Sequence, residues 1–264
     1  MKVFIGTDLE GVAGVVSFAT QSYADGKYFE QAKRLLTAEV NAAVEVLAEH
    51  DIDDILVCDG HGPGAIRFED LHPAAKLLHG RPSASRAARD EAIKDYDVCM
   101  MIGQHAMAGI PTANLNHTQS SATIDRITLN GQSIGEIAQF ALYHGAFGIP
   151  LIFLSGDEAA CQEARDLVPR IATAAVKKGL GRNSAISLSA PAARQRIRNG
   201  VKEALLRHRE SPIPPVVWDA PYVLEKRFFH TDSADAAAGT PGAERVDGQT
   251  VRFRADAIQA IIYR

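Results

Sequence analysis

Apolar residues recur along the chain in short bursts separated by longer stretches with a helical repeat. Val3–Thr7, Asp54–Cys58, Val98–Ile102 and Pro150–Leu154 are short runs rich in Val, Ile, Leu, Met and Phe. Runs of that kind predict strands buried on both faces. Phe29, Ala32, Leu36, Val40, Ala43 and Leu47 follow one another at steps of three or four, which places them on one face of a helix over Tyr28–Glu49. Shorter helices are predicted at Ala87–Tyr96 and at about Ile134–Phe147, and Lys76–His79 reads as a short strand. Thr123–Leu129 and Gln132–Ile134 flank Asn130-Gly131, a dipeptide suited to the type I′ turn of a hairpin. Asp157 stands where a helix after Pro150–Leu154 needs an N-cap.

Strands alternating with helices predict an α/β fold with a mostly parallel sheet flanked by helices. The last third is patterned differently. Ala190–His208 reads as a helix and "ESPIPP" (210–215) as a linker. Val216–Phe229 is strand-rich, Val246–Phe253 suits a hairpin around Asp247-Gly248, and Asp256–Tyr263 suits a terminal helix. The expected organisation is therefore an α/β domain over residues 1–190 and a smaller α+β C-terminal unit over 191–264.

Composition narrows the possible partners. Of 264 residues, 46% are hydrophobic, enough for a sizeable core. The formal net charge of -4 and the lack of a Lys/Arg tract argue against nucleic acid or an anionic membrane surface. No apolar run approaches the roughly 20 residues that span a bilayer. The N-terminus enters a strand without a signal-peptide apolar region. Cys58, Cys99 and Cys161 are odd in number and lie in apolar contexts, which suits buried thiols in a reducing cytoplasm better than a disulfide framework.

The candidate chemistry lies where the strands end. The first run is followed by "TDLEGVAG" (7–14), with Asp8 and Glu10; the second ends in "DGHGPG" (59–64), with Asp59 and His61; the third ends in "GQHA" (103–106), with His105. In open parallel sheets, ligands bind beyond the carboxyl ends of the strands. If these strands are parallel neighbours, all five side chains emerge at one rim. Glu136, opening the helix after the hairpin, can reach the same place. His117 lies in a polar loop, "NLNHTQSS" (114–121). Carboxylates mixed with imidazoles suit Zn²⁺, Mn²⁺ or Co²⁺. Several acids allow two ions, since a carboxylate can bridge them. Without a cation, converging carboxylates raise one another's pKa. Taken singly, each residue has a plainer role: Asp8 as a loop acid or cap, His61 within a turn that needs glycine, His105 as a satisfied buried histidine. His50, His72 and His208 read as structural or solvent-facing. "GVAG" lacks the Lys-Ser/Thr of a phosphate loop and the full dinucleotide fingerprint. Gly11 is expected to keep the backbone clear of a substrate.

"DLEG" (8–11), "DGHG" (59–62), "GQHA" (103–106), "NH" (116–117), "NGQSIGE" (130–136) and "AVKKGLGRNSAISLSAPAA" (175–193) occur in the order seen in one family. Over about residues 1–193 the chain resembles the D-aminopeptidases of the DppA type, peptidase family M55. The resemblance implies a metallopeptidase with two Zn²⁺ per subunit. It implies Asp8, Glu10, His61, His105 and Glu136 as metal ligands, His117 as the catalytic histidine, and Asp59 as a supporting residue or extra ligand. It also implies a homodecameric ring enclosing a chamber. The loop Thr118-Gln119-Ser120-Ser121 departs from the family pattern, and the stop at Arg264, directly after the last expected helix, is short for it. Substrate preference and ring contacts are where differences are expected. The activity that follows is hydrolysis of short peptides, with N-terminal D-residues, in the cytoplasm. The alternatives are another metal-dependent hydrolase, such as an amidase or a phosphoesterase, and a non-catalytic peptide-binding ring protein; a phosphate substrate would favour a basic pocket, and the strand-end motifs supply no nearby Arg or Lys.

Overall fold

The computed structural model describes residues 1–264. The four apolar runs form strands β1 (Lys2–Thr7), β2 (Asp54–Asp59), β4 (Val98–Gln104) and β7 (Leu151–Asp157), and β3 (Ala75–Leu78) also forms. They belong to a seven-stranded sheet in the order β3-β2-β1-β4-β7-β8-β9, with β8 at Ala172–Gly181 and β9 at Ser184–Ser187. Every pairing is parallel except that of β8 with β9. All residues of β4 and β7 are buried, as continuous apolar runs require when helices cover both faces. Helix α1 (Phe29–Glu49) lies against α5 (Ala190–Glu210), and α3 (Glu136–Gly145) against α4 (Glu158–Leu167), while α4 and α5 both reach β7 and β8. Helix α2 spans Arg86–Ile93. No helix is long and apolar enough to cross a membrane, and the three cysteines are free thiols.

A second sheet is antiparallel, in the order β11-β12-β10-β5-β6. Its strands are β5 (Ile124–Leu129), β6 (Gln132–Ser133), β10 (Tyr222–Phe228), β11 (Glu244–Arg245) and β12 (Thr250–Ala255). Asn130 (φ 50) and Gly131 (φ 81) both adopt positive φ, as the expected type I′ hairpin demands. Asp157 caps α4, accepting from the Ala159 and Ala160 N–H groups. The expected 190/191 boundary falls within the first turn of α5, which begins at Ala190. Helix α5 lies on the first sheet, and residues 124–133 supply two strands of the second.

Several elements differ from their expected extents. Helix α3 starts at Glu136 because Gly135 is extended (φ -102, ψ -173). Within the strand-rich stretch 216–229, only Tyr222–Phe228 pairs; Pro214, Pro215 and Pro221 punctuate the segment before it. The terminal helix is a single turn, α7 (Ile258–Ile261), and α6 (Thr231–Ala238) was not anticipated.

The register places three strand ends together. β1 lies between β2 and β4, with Thr7 opposite Asp59 on one side and Ile102 on the other. The chain beyond β1 then runs tightly over β4: the Asp8 N–H donates to Ile102 O at 2.9 Å and the Gly11 N–H to Gly103 O at 2.7 Å. A Cβ on Gly11 would come within 2.1 Å of Gln104 O. Gly11 is thus required by backbone against backbone, not by clearance for a substrate. Gly11→Ala should lower stability by roughly 1–3 kcal/mol, the usual range for overpacking. At about 2–4 °C per kcal/mol for a chain of this size, thermal melting should show a Tm loss of several degrees. An unchanged Tm would mean that the loop relaxes without cost.

Candidate metal centre

Six side chains from five segments converge at this rim. Asp8 and Glu10 follow β1, His61 follows β2, His105 follows β4, Glu136 opens α3, and His117 lies on the loop between β4 and β5. Asp8, Glu10, His61 and His105 are buried. The Asp8 carboxylate stands between two imidazoles: Oδ1 is 3.3 Å from His61 Nδ1 and Oδ2 is 3.1 Å from His105 Nε2. On one side Glu10 Oε2 is 3.2 Å from His61 Nδ1. On the other, Glu136 Oε1 is 3.5 Å from His105 Nε2 and 3.8 Å from His117 Nε2. The His105 and His117 rings stack at 3.9 Å with 17° between planes. Potential ligand atoms of Asp8, Glu10 and His105 lie within 4.8 Å of one another, as do those of His105, His117 and Glu136.

Each imidazole has one nitrogen committed to a backbone carbonyl. His61 Nε2 lies 2.8 Å from Ser22 O, His105 Nδ1 2.9 Å from Ala106 O, and His117 Nδ1 3.0 Å from Leu115 O. A carbonyl only accepts, so these nitrogens carry the protons. In the neutral rings the other nitrogen is then a bare lone pair facing carboxylates, the arrangement in which second-layer hydrogen bonds orient metal-binding histidines. Glu10 Oε2 and His105 Nε2 are buried with no hydrogen-bond partner. Oxygen and nitrogen donors with two unmatched buried atoms fit zinc or a similar cation.

Electrostatics point the same way. Burial alone would push the Glu10 carboxyl up, but the adjacent His61 outweighs it and holds the group well below the usual range. Burial opposes charge on His61, yet Asp8 and Glu10 raise its pKa to about 11. His105 is raised against burial by Glu136 and Asp8, and Glu136 is lowered to about 2, burial notwithstanding, by the charge of His105. His117 moves the other way, lowered by burial and then by His105. The carboxylates thus hold positive charge beside them, as protons when no ion is bound.

Surrounding residues fix this cluster, and pattern reading did not single them out for it. Ser22 Oγ donates to Glu10 Oε1, while its carbonyl holds His61. Lys177, 3% exposed, donates to the carbonyls of Glu10 and Val15 and to Asn114 Oδ1. Burial lowers its pKa to about 8. The Gln119 N–H donates to Glu136 Oε1 at 2.7 Å, and Lys226 Nζ holds the Gln119 side chain at 2.6 Å. Ser22 has no local sequence signal. Lys177 has none either, because the adjacent Lys177 and Lys178 interrupt the apolar alternation of β8. Asp59 stands outside the convergent groups: its carboxylate accepts from the Ala65 and Ile66 N–H groups and shapes the loop that carries His61.

The sequence profile of the family described as D-aminopeptidase, peptidase M55, matches residues 1–263, and the chain belongs to that family. The D-aminopeptidase of Bacillus subtilis (strain 168) is 27% identical over 272 residues, covering 99% of this chain and 96% of the relative. A solved structure described as the Zn-dependent D-aminopeptidase DppA from Bacillus subtilis, a self-compartmentalizing protease, superposes with a TM-score of 0.90 at 25% identity. That match covers 100% of this chain and 94% of the other.

Metal ligation requires neutral imidazoles. The raised pKa of His61 stabilises the metal-free fold fully below about 6.5, its unfolded value, and that contribution is lost as pH rises through about 11. A cation that replaces these protons must release them. Calorimetric zinc titration at pH 7, in buffers of different ionisation heat, should show release of about two protons per chain, from His61 and His105. A heat independent of buffer would contradict this ionisation state.

Proposed function

We propose that this chain is a zinc-dependent aminopeptidase that hydrolyses short peptides, with N-terminal D-residues preferred, at a binuclear centre. The observation that carries the reading is the Asp8 carboxylate, whose two oxygens each face a different imidazole, at 3.3 and 3.1 Å. One ion would be held by Asp8, Glu10 and His61, the other by Asp8, His105 and Glu136. Bound zinc supplies Lewis-acid polarisation of the scissile carbonyl and brings the pKa of water toward roughly 7.

The remaining chemistry belongs to His117. Its Nδ1–H is held by Leu115 O, which leaves Nε2 as the basic nitrogen. Burial and the neighbouring His105 lower its pKa, so the ring is neutral near pH 7 and able to accept a proton from the attacking water. The same nitrogen then protonates the departing amine. Stacking on His105 and packing against Phe18, whose ring centroid lies 5.4 Å away, fix the orientation of the ring.

The oligomer is part of this proposal. The relative's description as self-compartmentalizing supports a homo-oligomer for this chain, and we take the expected homodecamer ring as its form. The three free thiols support a reducing cytoplasmic location. Light scattering should give about ten times the chain mass; a monomer would remove the ring from the account.

Zinc-loaded protein should hydrolyse D-alanyl peptides faster than matched L-alanyl peptides. His117→Ala should keep its zinc and its fold and lose kcat by roughly 10²–10⁴-fold, with KM little changed, as for an interaction made mainly in the transition state. Loss of zinc in this variant would make His117 a ligand. Near-normal kcat would end its catalytic assignment.

A further inference from the structure

Arg182 lies in the turn between β8 and β9, 65 residues beyond His117, yet it is anchored to the same loop. Its carbonyl accepts hydrogen bonds from the Leu115 N–H at 2.8 Å and from Asn114 Nδ2 at 3.0 Å. The Leu115 carbonyl in turn accepts from His117 Nδ1 at 3.0 Å. One short stretch of backbone thus sets the positions of both residues. The Arg182 guanidinium lies 4.8 Å over the Phe18 ring, and that ring meets His117 edge-on at 5.4 Å.

The charge of Arg182 is uncommitted. Its side chain is exposed, and its polar contact is a single Nη2 donation to Ser121 O at 3.1 Å. Arg67, Arg198, Arg207 and Arg252 each hold a carboxylate; Arg182 holds none. Ser121, whose Oγ pairs with Tyr23 Oη at 3.1 Å, lies four residues beyond His117 on the same loop. A stacked guanidinium with free donors, separated from His117 by the Phe18 ring, is a ready carboxylate receptor.

We propose that Arg182 binds the C-terminal carboxylate of the substrate, which makes the preferred substrates short peptides with a free carboxyl end. This rests on the aminopeptidase reading and names its substrate class. In a dipeptide the carboxylate lies one residue beyond the scissile carbonyl, and each added residue moves it up to about 3.5 Å further. A fixed cation near His117 therefore selects for length as well as charge. The planar guanidinium can take both carboxylate oxygens, which a neutral C-terminal amide cannot reproduce.

The test compares an alanyl-alanine dipeptide, in whichever configuration is cleaved, with its C-terminal amide. Wild-type protein should favour the acid by about 10- to 100-fold in kcat/KM, mostly through KM. Arg182→Met should bring the acid-to-amide ratio close to one, and Arg182→Lys should keep part of it. Equal rates on acid and amide in the wild type would overturn the proposal whatever the variants do, as would a ratio that survives Arg182→Met. If the wild type cleaves neither peptide, the aminopeptidase reading fails by itself. Calorimetric binding of the same two peptides then decides the role of Arg182. A preference for the acid that is lost in Arg182→Met supports it; equal affinity, or no binding of either peptide, overturns it.

Discussion

Carboxylates from Asp8, Glu10 and Glu136 meet at the rim of a buried parallel sheet, and the surrounding structure is organised around compensating that negative charge. Converging acids in a poorly solvated place repel one another and would tend to stay protonated. Here the opposite holds: Glu10 and Glu136 are held in the charged form against the effect of burial. His61 and His105 do this in the metal-free chain by remaining protonated. A cation would do it better, because it needs no protons and can use the lone pairs that the Ser22 and Ala106 carbonyls leave free on His61 and His105. The centre is therefore preorganised for cations even where its ionisation belongs to the metal-free state.

That preorganisation is spread through both sheets. Parallel pairing of β2, β1 and β4 brings Asp8, His61 and His105 to one edge, and the close passage at Gly11 holds the chain after β1 onto β4. Lys177, from the far side of the same sheet, clamps the carbonyls of Glu10 and Val15. Lys226 comes from β10 of the second sheet and props Gln119, whose N–H holds Glu136. The second sheet is thus a brace for the loop between His117 and Glu136 as well as a separate layer. A side chain held through such fixed neighbours loses little freedom when an ion binds.

The parts legible in the sequence were those with local causes. Strands buried on both faces are continuous apolar runs, so β1, β2, β4 and β7 stood out, and the acids and histidines at their ends stood out with them. Asn130-Gly131 and Asp157 announced a turn and a cap through their own backbone preferences. β8 was hidden because Lys177 and Lys178 interrupt its apolar alternation, although one of them is buried. α6 has only alanines to bury. Ser22, Gln119 and Arg182 owe their positions to contacts across the fold, and nothing within a few residues of them signals those contacts. The role of Gly11 was misread for the same reason: the atom that forbids a side chain there is Gln104 O, distant in sequence.

The central claim is that Asp8 joins two cation sites. The most direct measurement is diffraction from zinc-soaked crystals on either side of the zinc absorption edge. Two anomalous peaks per chain are expected, roughly 3.5–4 Å apart as in known two-metal hydrolytic centres, with the Asp8 carboxylate between them, Glu10 and His61 on one side, and His105 and Glu136 on the other. A single peak at full zinc loading, or peaks that leave Asp8 uncoordinated, would contradict it.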